Sequence, residues 1–146
     1  MMSLGRQAKL FREAFNQEIS EGFCPNGFLK EKLFKMQMRL IQEEMLELDE
    51  AATLLQYSPN DLRLQEELVK EAADCVFVLY QLAATYGFDL DTALQLVFES
   101  NMSKLGPDGK PIYRDDGKVL KGPDYKKPIL TNCITLSRRT YDTSGK

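Results

Sequence analysis

The strongest constraint in this chain is an uninterrupted run: from Leu29 to Tyr57 there is neither glycine nor proline. Within it Phe34, Met38, Ile41, Met45, Leu48, Ala52 and Leu55 recur at intervals of four and three, the signature of one face of an α-helix. The run therefore predicts a long helix with an apolar stripe of seven positions.

The flanking segments read the same way. Leu4, Ala8, Phe11, Phe15 and Ile19 share one face and predict a helix over residues 4–20, ended by a segment from Glu21 to Gly27 with two glycines and a proline. Ser58-Pro59-Asn60-Asp61 supplies a turn and a cap for a third helix reaching about Tyr86. Its second half, Ala72 to Ala84, is apolar except for Asp74, Tyr80 and Gln81, and is expected to be buried on most sides. Gly87 stops that helix, and Asp89 caps a fourth through Asp91, Leu94, Val97, Phe98 and Met102.

Four helices joined by short turns predict an all-α, antiparallel four-helix bundle. After Leu105 the chain becomes rich in Gly and Pro, with a short hairpin expected around Asp116-Gly117. The last fifteen residues read as a poorly ordered end. At 146 residues the expectation is one domain, with residues 1–105 as helical core and 106–146 as a tail belonging to it.

Charge is unevenly spread. Residues 1–103 carry nine Lys and Arg against 17 Asp and Glu, a net charge of −8, whereas residues 104–146 carry ten against five, a net of +5. The acidic body argues against a nucleic-acid partner, and the basic tail suits either an anionic ligand or plain solvation. There is no histidine, which excludes Ser-His-Asp and Cys-His nucleophile sites and His-ligated zinc or haem. Cys24, Cys75 and Cys133 form neither a CxxC pair nor an even set, so the expectation is a reducing, cytoplasmic setting. No apolar run approaches the ~18 residues of a membrane span.

The chemistry concentrates on carboxylates. Beside the apolar stripe of the second helix runs the line Leu33, Leu40, Glu44, Glu47, Ala51 and Leu54, so two carboxylates three residues apart border the core. The third helix repeats the spacing with Glu71 and Asp74, the latter inside AADCVFVLY. Burying ionised carboxylates together costs several kcal/mol each unless cations are present. Lys70 and Arg39 are the local candidates, and hard divalent ions such as Mg²⁺ or Mn²⁺, which take all-oxygen ligands, meet the need better. A solvated acidic face with surface ion pairs is the ordinary reading of Glu43, Glu44, Glu47 and Glu50, and a buried Asp74 capping a neighbouring helix would be the ordinary reading there.

Glu44-x-x-Glu47, 23 residues, then Glu71-x-x-Asp74 resembles the ExxE…ExxD signature of the all-α nucleoside triphosphate pyrophosphohydrolases, the superfamily holding MazG, phosphoribosyl-ATP pyrophosphohydrolase and dimeric dUTPase. Those four residues match the family's metal ligands, and Glu43 matches the extra Glu of the EExxE form. The segment SNMSKLGPDGKPIYRDDGKVLKGPDYKKP is similar to the tail of small bacterial and phage MazG-like proteins, with Asn101, Lys104, Lys118, Lys121 and Tyr125 at the polar positions. The likeness spans roughly residues 8–130. Where close relatives have Phe-His, this chain has Phe15-Asn16, so base preference does not carry across.

The resemblance implies hydrolysis of a nucleoside triphosphate between the α and β phosphates, giving the monophosphate and pyrophosphate. It implies two or three Mg²⁺ or Mn²⁺ ions on Glu44, Glu47, Glu71 and Asp74, with Glu43 or Glu47 taking a proton from water. Lys104, Lys118 and Lys121 would hold phosphates, Asn101 the sugar or α phosphate, and Phe15 with Asn16 the base. The substrate expectation is dGTP or GTP, with dUTP, dCTP or phosphoribosyl-ATP as alternatives within the superfamily. A non-catalytic helical interaction module is the alternative outside it. A homodimer or homotetramer is expected, with neither nucleic acid nor membrane as partner.

Overall fold

The computed structural model describes residues 1–24 and 30–134. Phe28 and most of the end expected to be poorly ordered lie outside the described residues. The elements are α1 (Leu4–Ala14), α2 (Glu31–Tyr57), α3 (Leu62–Tyr86) and α4 (Leu90–Met102). The protein is all-α as expected, and no strand occurs among the described residues. The hairpin expected at Asp116-Gly117 reduces to one antiparallel bridge, Tyr113 to Val119. It is held by Arg114 N–H to the Lys118 carbonyl (2.8 Å) and turned by Gly117 at φ +85°.

The chain divides into two compact units, residues 1–88 and 89–146. In the first, α2 and α3 are joined by residues 58–61 and pack along each other, and α1 packs on α3. The buried apolar side chains here are mostly small: Ala8, Ala51, Cys75, Ala83 and Ala84, with Tyr80 and Tyr86 as the large ones.

Helix α1 stops at Ala14, short of residue 20. Asn16 adopts φ +53°, its N–H donates to the Glu13 carbonyl (3.2 Å), and the Gln17 N–H donates to the Arg12 carbonyl (2.8 Å). These two bonds are the Schellman ending, with Asn in the left-handed position that Gly usually takes. The chain then leaves the helix and lies against the end of α3. Ser20 N–H donates to the Ala84 carbonyl (3.0 Å) and Cys24 N–H to the Tyr86 carbonyl (2.9 Å), satisfying acceptors that the last turn of α3 would otherwise leave open. The approach is so close that a Cβ on Gly87, itself at φ +76°, would lie 2.1 Å from the Gly22 carbonyl oxygen.

Helix α3 is less covered than its composition suggests. Val76, Phe77 and Leu79 are 43%, 36% and 42% exposed, whereas residues from Tyr80 to Tyr86 are buried apart from half-buried Leu82. α1 and α2 cover only part of its circumference, so apolar composition exceeds what one copy of residues 1–88 can bury.

In the second unit Asp89 caps α4, its Oδ1 accepting from the Thr92 N–H (3.0 Å). The segment after α4 folds back on the helix end. Gly122 N–H donates to the Lys104 carbonyl (2.9 Å), and a Cβ there would sit 2.7 Å from that oxygen. Ser100 Oγ donates to the Lys126 carbonyl (2.8 Å), and the Lys126 N–H donates to Ser103 Oγ (2.8 Å).

Candidate active site

Pairing α2 with α3 sets the Glu44–Glu47 line of one helix against Glu71 of the other. Each offers a carboxylate oxygen, and these lie within 4.8 Å of one another. Glu71 is 3% exposed, Glu44 half-buried and Glu47 exposed. The Oε2 atoms of both Glu44 and Glu71 are buried without a hydrogen-bond partner, an unfavourable state for an acceptor, more so for a charged one.

Among the described residues, Lys70 is the cation paired with this cluster. Its Nζ lies 2.6 Å from Glu71 Oε1 and 3.1 Å from Asp74 Oδ2, and these bonds hold the ammonium above its usual pKa. The same Lys70 hydrogen bond is the main reason the Glu71 carboxyl lies below the usual range. Glu44 goes the other way: burial, then the charges of Glu47, Asp74 and Glu71, push its carboxyl up. One lysine faces four carboxylates, so the site holds a charge deficit that an oxygen-liganded divalent cation would offset. The donor set and the two orphaned oxygens fit such an ion.

Asp74 differs from expectation in its surroundings. Asp74 is not buried among apolar neighbours; its side chain is 40% exposed and paired with Lys70, because α3 is open to solvent along this stretch. Glu43 is exposed, outside the group of three within 4.8 Å.

Against the cluster lies a cavity of about 480 Å³ lined from α1, the segment after it, α2 and α3, with Glu44 as part of its wall. Asn16 lines it, whereas Phe15 is 63% exposed and stacks on Phe11 at 4.5 Å. The aromatic surfaces in the wall are Phe11 and Phe77, edge to face at 5.1 Å. Sequence reading missed the buried polar residues of this wall, Arg12, Gln37 and Gln81. Arg12 Nε donates to the Glu18 carbonyl (2.6 Å) and Nη1 to Gln81 Oε1 (3.3 Å), and burial lowers its pKa. The available signal was weak: Gln81 interrupts an apolar stretch, but Gln37 and Arg12 look like ordinary polar positions on amphipathic helices.

In the second unit, the Gly122–Lys104 bond brings Lys121 and Tyr125 to the end of α4 that carries Asn101 and Lys104. Lys121 Nζ sits 4.6 Å over the Tyr125 ring, a cation–π contact. Lys118 belongs to the bridged turn, its N–H donating to Asp116 Oδ1 (3.2 Å).

A sequence profile of the phosphoribosyl-ATP pyrophosphohydrolase family matches residues 8–101, spanning α1 to α4 and all four motif carboxylates. The chain belongs to that family. Membership makes it a pyrophosphohydrolase in the general sense, acting on a nucleotide. Among solved structures, a "putative NTP pyrophosphohydrolase" from Exiguobacterium sp. 255-15 is 18% identical over 99% of both chains, with a TM-score of 0.42, a likeness too loose to bear on fold or activity. No curated protein matches this family member significantly. Among the described residues, no helix is long and apolar enough to cross a membrane.

Proposed function

We propose that this family member is a divalent-metal-dependent nucleoside triphosphate pyrophosphohydrolase, releasing pyrophosphate and a nucleoside monophosphate. The observation that carries the reading is the pair of buried, partnerless oxygens on Glu44 and Glu71, set within a three-carboxylate cluster beside a nucleoside-sized cavity. Glu44, Glu47 and Glu71 would hold Mg²⁺ or Mn²⁺, with Asp74 as the fourth ligand once it parts from Lys70. When bound, such ions supply positive charge against the triphosphate oxygens and lower the pKa of water.

The chain's own groups do the rest. Glu47 is the cluster carboxylate with solvent access and so takes the water proton, with Glu43 one turn earlier as the alternative acceptor. Glu71, held ionised by Lys70, stays available as a ligand at neutral pH. Phe11, Phe77 and Asn16 line the space for the nucleoside, and Lys104, Lys118, Lys121 and Asn101 carry the charge and donors that a triphosphate requires. Nucleotide chemistry of this kind suits a cytoplasmic enzyme.

dGTP or GTP is the proposed substrate; phosphoribosyl-ATP, which the family's description names, is the second reading. The test is pyrophosphate release from a panel of ribo- and deoxynucleoside triphosphates and phosphoribosyl-ATP with Mg²⁺ or Mn²⁺. Turnover of at least one, abolished by EDTA and by Glu71→Gln, is the expected result. No release from any member by folded protein overturns the proposal.

A further inference from the structure

Two amides in the cavity wall have their orientations fixed by the hydrogen bonds around them. Thr85 Oγ1 donates its single proton to the Gln81 backbone carbonyl (2.8 Å), so toward Gln37, 2.6 Å away, it can only accept. Gln37 must therefore present its NH₂ to Thr85, which leaves Gln37 Oε1 as a buried acceptor without a partner. Arginine can only donate, so Arg12 Nη1 fixes Gln81 Oε1 on its own side. That leaves Gln81 Nε2 as a buried donor without a partner.

The two side chains are 5% and 9% exposed, and both line the cavity that Glu44 borders. The wall thus offers one acceptor and one donor, each desolvated and unmatched. Arg12, 5% exposed, adds a positive charge behind the Gln81 amide. It strengthens Gln81 as a donor and favours a carbonyl oxygen, the acceptor of larger partial charge, over a ring nitrogen opposite it.

We propose that Gln37 and Gln81 are the base-reading residues of the active site. Gln81 Nε2 donates to a ring carbonyl, and Gln37 Oε1 accepts from the adjacent ring N–H. The group they recognise is a lactam edge, N–H beside C=O, which guanine, uracil and thymine present; adenine and cytosine offer an amino N–H beside a ring nitrogen, the weaker acceptor for a donor backed by Arg12. The inference rests on the proposed nucleotide substrate and deepens it. Thr85 and Arg12 act as positioning residues, because each holds one amide in the orientation that reads this edge.

The test has two arms that fail separately. In the first, binding of guanosine, deoxyuridine, thymidine, adenosine and deoxycytidine to metal-free protein is followed by NMR at the Gln37 and Gln81 side-chain NH₂ resonances. The lactam nucleosides are expected to shift both, and the amino nucleosides to bind about tenfold more weakly or not at all. In the second, kcat/KM for the five triphosphates is compared among wild type, Gln37→Met and Gln81→Met, the near-isosteric change removing one hydrogen-bonding group at a time. Wild type is expected to prefer lactam bases by about tenfold or more, and each variant to lose most of that preference, chiefly through KM.

Nucleoside binding with this preference in protein that turns over no triphosphate would overturn the hydrolase reading and leave the base-reading pair standing. Turnover with a preference for amino bases, or with a base ranking unchanged in both variants, would overturn the pair and leave the hydrolase. Guanosine against deoxyuridine and thymidine in the first arm decides which lactam base is the source.

Discussion

At the scale of single residues, Glu44 is where charge and burial oppose each other most directly. Its folded-state pKa is raised above the ordinary 4.5 by burial and by Glu47, Asp74 and Glu71, so the fold prefers it protonated. The stability from that preference is present in full below the ordinary pKa and is lost as pH rises through the raised one. Glu44→Gln removes the penalty: metal-free protein carrying it should melt above wild type by ~4 °C near pH 7, for an effect of order 1 kcal/mol. The difference should vanish below about pH 4, where both side chains are neutral. Melting curves across pH with EDTA check this, and a wild-type advantage at pH 7 contradicts it. On the proposed metal site the order should reverse with Mn²⁺, because wild type would gain stability on binding the ion and the variant would forfeit most of it.

Asn16 makes a second residue-scale case, since the resemblance gave it to the base and the backbone gives it a different duty. At φ +53° it closes α1 through the Asn16–Glu13 and Gln17–Arg12 bonds. Asn16→Gly should therefore leave the melting temperature within ~2 °C, whereas Asn16→Val, β-branched and strained at positive φ, should destabilise by roughly 1–2 kcal/mol. Thermal unfolding of the two variants separates a backbone role from base contact, which would appear as a raised KM in Asn16→Gly without any loss of stability.

At the scale of elements, helix ends decide how the cavity is shaped, and Gly87 is the most demanding of them. A side chain there meets positive φ and the Gly22 carbonyl together, so Gly87→Ala should cost about 3 kcal/mol or more and free the segment after α1 from α3. Gly109 has nearly the same φ, +73°, with nothing within 4 Å of a Cβ. Gly109→Ala should cost only about 1 kcal/mol. Comparable losses in urea melts of the two variants would contradict the close-approach account.

The elements were largely legible in the chain. Helices α2, α3 and α4 follow from apolar spacing, from the Ser58–Asp61 turn and Asp89 as caps and from Gly87 as a stop, since those signals are local. The end of α1 was not legible, because Ile19 continues the spacing and only the Schellman bonds show that the helix has already finished. Glu44 and Glu47 were legible as neighbours because a three-residue spacing keeps them on one face of α2 whatever that helix packs against; that Glu71 joins them was implied by the resemblance and depends on the pairing of α2 with α3. Gln37 and Gln81 were not, since their significance lies in which of their atoms Thr85 and Arg12 leave unpartnered, and only tertiary contacts set that.

At the scale of the whole molecule, the distribution of apolar surface does not suit a lone chain. Leu46, Leu54 and Val69 on α2 and α3 are 64%, 55% and 69% exposed, while the buried apolar residues among the described part of 1–88 are four alanines, Cys75, Tyr80 and Tyr86. A chain of 146 residues depends on burying most of its large side chains, because net stability is a small surplus over conformational entropy. Exposed apolar surface on this scale, spread along two helices, fits association with further copies. Light scattering coupled to gel filtration at tens of micromolar should give a mass of two or more chains. The melting temperature should rise with protein concentration, as linkage between folding and assembly requires. Leu54→Lys with Val69→Lys should shift the mass toward one chain and lower the melting temperature, because added charge must be desolvated wherever those faces are covered. A wild-type monomer whose melting temperature is independent of concentration would show that one copy is stable with this surface exposed.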